Sequence, residues 1–139
     1  MKSKIEPYLF FNGCCEEALK FYESVLGAKI GDLMTFDEAP ESPPEGMMPP
    51  DWDKKIMHAS FQIGESLIMA SDGCGSDDKG FSGFSLSLAP ENEEEAKTVF
   101  DALAEEGEVE MPLGKTFWSP CFGAVKDKFG LGWMVCVIE

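Results

Sequence analysis

The sequence predicts an α+β fold made of two strand-helix-three-strand modules in tandem, with curved mixed sheets around a cleft. Three observations predict it. Each half opens with a short apolar strand segment followed by one amphipathic helical stretch, at 14–26 and 91–106. Each half then continues with three strand candidates. The halves also match at a constant offset of 78 residues, which places Tyr8 and Phe10 on Leu86 and Leu88, Glu16-Glu17-Ala18 on Glu94-Glu95-Ala96, Tyr22 on Phe100 and Val25 on Leu103. An internal duplication accounts for that register. The expected organisation is one domain over 1–139, with repeats at about 5–71 and 81–138.

Taken in order, IEPYLFF at 5–11 is apolar and aromatic enough for a strand, and Pro7 suits a strand end or edge. Asn12 and Gly13 break it. From Cys14 to Leu26, Ala18, Leu19, Phe21, Tyr22, Val25 and Leu26 recur at helical spacing, with Asn12 or Gly13 as the cap, Glu16 and Glu17 in the first turn and Gly27 as the stop. Residues 28–36 read as a strand, and the Pro- and acid-rich stretch 37–53 reads as a loop. Strands follow at 56–63 and 66–71, turned by Gly64 and Glu65. Beyond a Gly- and Asp-rich linker at 72–80, FSGFSLSL alternates as a strand, and the helix over 91–106 gathers Ala96, Val99, Phe100 and Leu103 on one face. Strands at 108–113, 117–126 and 132–138 complete the second half.

Composition excludes several partners. The chain of 139 residues carries 26 acidic against 11 basic side chains, a net charge of -15. Such a surface is repelled by nucleic acid and by anionic lipid. No stretch approaches the ~20 apolar residues of a membrane span, and MKSKIEPYLFF has no signal-peptide pattern. A cytoplasmic protein is expected. One histidine rules out multi-histidine metal sites, and five cysteines without C-x-x-C spacing fit free thiols.

Strand alternation sorts side chains between the helix and the cleft. Tyr8 and Phe10 are expected beneath the first helix, with Leu9 and Phe11 toward the cleft. His58, Ser60 and Gln62 share a polar face, as do Ser85 and Ser87 beside the apolar set Phe84, Leu86 and Leu88. A cleft of Ser, Gln, His, Met and aromatic side chains suits a small molecule.

The segments YLFFNGCCEEALKFYESVLGA, IMHASFQIGESLIMASD, FSLSLAPENEEEAKTVFDALAEEGEVEMPL and TFWSPCFGAVKDKFGLGWMV resemble the vicinal oxygen chelate superfamily of glyoxalase and bleomycin-resistance proteins, in its PhnB-like branch. The resemblance spans nearly the whole chain apart from 37–53, and it implies paired modules and a homodimer. Enzymes of that superfamily bind a divalent metal through His, Gln or Glu on the first and last strand of each module. The resemblance places those positions at Pro7 or Tyr8, at Met69, at Ser85 or Phe84, and at Met134, counted from the turn Asp127-Lys128-Phe129-Gly130. None is a ligand for a hard cation, so neither metal nor cofactor is expected. A ubiquinone-pathway methyltransferase label carried by some members of the branch finds no support in the sequence. The strand, Gly-rich turn and helix of a doubly wound cofactor domain are missing, and Gly73-Cys74-Gly75 is only a fragment of such a loop.

The candidate ligand-binding residues are accordingly Phe11, His58, Ser60, Gln62 and Met69 in the first module and Ser85, Trp118 and Met134 in the second. Phe117, Trp118 and Trp133 suit an aromatic wall for a planar ligand, or a core or dimer contact. Met47, Met48 and Trp52 suit a lid or a subunit contact, or equally are incidental apolar residues of a disordered loop. For catalysis, His58 is a general-base candidate set against a pocket or structural role, and Cys14, opening a helix, is a nucleophile candidate set against packing at a cap. The leading expectation is a metal-independent small-molecule-binding protein. Its rivals are a lyase, isomerase or dioxygenase-type enzyme with a non-standard metal site using residues such as His58, and a thiol-dependent activity at Cys14.

Overall fold

Local signals position both helices. The first, α1 (Cys15–Leu26), ends at Gly27, whose left-handed φ of 67° is the usual helix stop, and it buries Ala18, Leu19 and Tyr22. The second, α2 (Glu93–Ala104), is capped by the Asn92 side chain, which accepts from the Glu95 amide at 2.8 Å, and it buries Ala96, Phe100 and Leu103. The computed structural model describes residues 1–39, 49–75 and 80–138, and the chain divides into two units, Met1–Lys79 and Gly80–Glu139.

In the first unit, β1 (Tyr8–Phe10) precedes α1, and β2 (Lys29–Thr35), a single 3-10 turn at Phe36–Glu38, β3 (Ile56–Ile63) and β4 (Ser66–Ser71) follow. The sheet order is β1-β4-β3-β2, with β1 parallel to β4 and the remaining pairs antiparallel. In the second unit, β5 (Leu86–Leu88), α2, β6 (Glu108–Gly114), β7 (Cys121–Lys126) and β8 (Gly132–Val137) give the order β5-β8-β7-β6, again with a parallel first pair. Each unit is therefore a four-stranded mixed sheet with one helix, an α+β architecture.

Each helix covers one face of its own sheet. Tyr22 stacks on Phe61 at 5.9 Å, and Ala59, Ile68 and Ala70 are buried with them on β3 and β4. In the second unit, Val125, Trp133, Val135 and Val137 are buried with Phe100 and Leu103. The helix approaches so closely that a Cβ on Gly123 would stand 2.8 Å from the Phe100 ring.

The faces of β1 are the reverse of those expected. Leu9 and Phe11 are the buried residues, at 2% and 5% exposure, and the Phe11 ring lies 6.2 Å from Tyr22 of α1. Tyr8 and Phe10 are 39% and 58% exposed on the open face. The duplication offset thus fits the helices but slips by one residue in the first strands: Leu86 and Leu88 pair with Trp133 and Val135 on the helix side, whereas Tyr8 and Phe10 look the other way. A one-residue slip exchanges every side chain between faces.

Candidate functional site

The open face of the first sheet is assembled by cross-strand register, because residues directly opposite one another share a face. Tyr8 on β1 lies opposite Met69 on β4, and Met69 lies opposite Ser60 on β3. Gln62 is flanked by Leu67 and Lys29, and His58 lies opposite Met34. Phe10 lies opposite Ser71. These paired positions hold one imidazole, one ammonium and no carboxylate. Tyr8 sits 4.9 Å from Phe10 and 6.1 Å from His58, ring centre to ring centre. Ser60 has a structural duty as well, its hydroxyl accepting from the Asp32 amide at 3.1 Å across a register shift in β2. His58, Ser60, Gln62 and Met69 are thus brought together, and Phe11 is not, since it packs beneath α1.

On the second sheet, Met134 lies opposite Ser87 on β5 and Ala124 on β7, and Ala124 lies opposite Met111. Ser85, the candidate taken from the sequence, precedes β5, and Ser87 holds the position directly beside Met134. Trp118 is half exposed and meets Phe122 edge-on at 5.3 Å, with Phe117 against its other side at 4.7 Å. Trp133 leaves that wall. It is buried on the helix side, and its indole N–H donates to Asp127 at 2.9 Å.

The four positions that the resemblance assigns to a metal do not fit one. Tyr8 and Met69 form a pair in one sheet, Met134 sits beside a serine in the other, and Pro7 and Phe84 offer no donor side chain. Phenol, thioether and hydroxyl groups are not the imidazole and carboxylate set that holds Mn, Ni, Zn or Fe(II). Among the described residues, no group of three or more His, Cys, Asp or Glu side chains could hold an ion.

At the start of α1 the structure supplies a residue that the sequence reading missed. The cap position falls to Cys14 and not, as expected, to Asn12 or Gly13. Cys14 makes no side-chain cap, and the carboxylate of buried Asp72, just beyond β4, takes that role. One Asp72 oxygen accepts from the Gly13 and Cys15 amides at 2.7 and 2.9 Å, and the other accepts from the Ile56 amide at 2.8 Å. The positive end of the helix therefore already faces a carboxylate. Burial pushes the Cys15 thiol up, and the Asp72 charge pushes it further in the same direction. The Cys14 thiol donates to the Phe11 carbonyl at 3.1 Å. A depression of about 400 Å³ opens beside this junction, bordered by Cys14, Glu17, Lys20 and Lys55 among others. Its rim is mixed in charge, and the Gly13 and Ile56 amides that line it donate to Asp72. Trp52 donates its indole N–H to the Gly73 carbonyl at 2.9 Å, whereas Met47 and Met48 lie outside the described residues.

Two sheets of the same strand order, each carrying one helix and leaving one open face, define a protein of the glyoxalase/bleomycin-resistance fold. A solved glyoxalase/bleomycin-resistance/dioxygenase domain from Frankia matches over 100% of this chain and 99% of its own, with a TM-score of 0.65 at 13% identity. The chain belongs to the PhnB-like family described as 3-demethylubiquinone-9 3-methyltransferase, whose model matches residues 3–136. It is 41% identical to the protein YjdN of Escherichia coli K12, over 97% of this chain and 95% of that one. The solved structure of PA1353 from Pseudomonas aeruginosa shares 42% identity over 99% and 98% of the two chains, with a TM-score of 0.86. A PhnB protein from Bacillus cereus shares 32% over 97% and 99%, with a TM-score of 0.81.

Proposed function

We propose that this protein binds a small, partly apolar molecule on the open faces of its sheets, without the divalent metal of the superfamily's enzymes. One observation carries the reading: in a chain with 26 acidic residues, the cross-strand positions of the first open face hold Tyr8, Met69, Ser60, His58, Gln62 and Met34 and no carboxylate. Polar groups that fix orientation, set among aromatic and thioether surface, are the usual composition of a ligand site. Met134, Ser87, Trp118 and, before β5, Ser85 offer a similar surface on the second sheet. The same reading includes one domain formed by the duplicated modules, a homodimer, a cytoplasmic location and no nucleic-acid partner, the last supported by the net charge of -15. Among the described residues, no helix is long and apolar enough to cross a membrane.

Methyl transfer, named in the family's description, is not part of this reading. The turn between β1 and α1 is Asn12-Gly13, where a dinucleotide-type cofactor loop needs three spaced glycines. Elemental analysis of dialysed protein, paired with native mass spectrometry for copurified small molecules, tests the proposal. A bound organic mass without stoichiometric transition metal supports it, and a retained stoichiometric metal overturns it.

A further inference from the structure

We propose that Tyr8 and His58, converging over β4, form an oxygen-recognition pair that selects a neutral planar aromatic ligand bearing a hydroxyl or carbonyl group. The inference rests on the reading of this face as the binding surface and specifies its ligand. Tyr8 and His58 stand on β1 and β3, which are not neighbours, because β4 runs between them. Strands two places apart are roughly 9.5 Å from each other, yet the two ring centres are 6.1 Å apart. At least one of the two side chains therefore leans inward over β4, where Met69 lies opposite Tyr8. Their planes meet at 41°, which leaves a wedge between the rings.

The chemistry of that wedge is selective. A phenol both donates and accepts, and a neutral imidazole offers one donor and one acceptor. Together they satisfy a ligand hydroxyl in both directions, or a carbonyl through its lone pairs. The Met69 thioether forms a polarizable floor suited to an aromatic ring, and Phe10, at 4.9 Å from Tyr8, extends the aromatic wall. A strongly anionic ligand is disfavoured by the field of a chain with net charge -15.

The probes are naphthol and naphthalene, which differ by one hydroxyl, titrated against the full chain by fluorescence and calorimetry. Native protein should prefer naphthol by about tenfold, the value of one hydrogen-bonded oxygen at a partly open site. In Tyr8→Phe and His58→Phe, which keep the rings, that preference should fall toward unity while naphthalene affinity holds. Met69→Trp, which fills the floor, should abolish binding of both probes. Equal affinity for the two probes in native protein, abolished by Met69→Trp, overturns the oxygen pair and leaves the binding face standing. Binding of neither probe, or binding indifferent to Met69→Trp, overturns both.

Discussion

The two units solve one problem in different ways. Each contains a buried aspartate whose carboxylate accepts three N–H groups, Asp72 in the first and Asp127 in the second. The Asp127 donors are Phe129, Leu131 and the Trp133 indole, which lie 2, 4 and 6 positions along the chain, so the residue organises its own hairpin turn. The Asp72 donors lie 59, 57 and 16 positions away and belong to the entry of α1 and the start of β3. The same functional group is a local turn device in one unit and a tertiary cross-link in the other. Buried polar groups of this kind are tolerated because every oxygen is satisfied, and losing the acceptor strands several donors at once.

That contrast can be broken experimentally. Asp72→Ala leaves three amides, two of them buried, without an acceptor at the entry of α1 and the start of β3, and it should cost about 4 kcal/mol in urea unfolding. Asp127→Ala removes an equal number of bonds, but nearby water and turn rearrangement can replace some of them, so about 3 kcal/mol is expected from the same measurement. Equal losses would show that reach along the chain is irrelevant to stability here. The second helix depends instead on close approach over Gly123, where an added Cβ also meets Leu113 at 3.0 Å. Gly123→Ala should cost about 2 kcal/mol by overpacking, read as a lowered melting temperature. The smallest effect concerns the exposed corner after β2, where Lys54, first, and Thr35 hold the Asp37 carboxyl below its usual range by hydrogen bonding. A depressed folded pKa contributes stability above the ordinary carboxylate range and loses it as pH falls through the folded value. Carboxyl NMR titration should show the Asp37 midpoint rising in Lys54→Met, with thermal stability near neutral pH unchanged within scatter.

The sequence showed both helices because their apolar spacing is unambiguous and each has a stop or a cap. The face of β5 was equally legible, since Ser85, Leu86, Ser87 and Leu88 alternate in polarity. For β1 the run Tyr8, Leu9, Phe10 and Phe11 is apolar on both faces, so alternation carries no parity, and the true one emerged only when Phe11 met Tyr22. That ambiguity put Phe11 on the open face and Tyr8 and Phe10 beneath the helix, the reverse of what the structure shows. For Trp133 the sequence left an aromatic wall, a core place and a dimer contact open for a similar reason, because the Gly-Trp-Met-Val run offers no polar partner by which to choose a side, and the structure puts it in the core. Asp72 gave one indirect sign: the helix at Cys15 begins without a Ser, Thr, Asp or Asn immediately before it. A missing local cap implies an acceptor from elsewhere, but one sequence does not say which of the nearby acids supplies it.

The Asp72 junction also bears on the order in which the chain folds. Contacts between residues so distant in sequence are formed only after the intervening loop has closed, an entropic cost that local turns avoid. The bonds from Gly13 and Cys15 to Asp72 are therefore expected on the native side of the folding barrier, whereas the Asp127 turn can be present before it. In a chevron analysis, substitution at Asp72 should chiefly accelerate unfolding, and substitution at Asp127 should slow refolding. The carboxylate that closes the first unit acts as its latch against time, setting how long the fold persists more than how fast it arises.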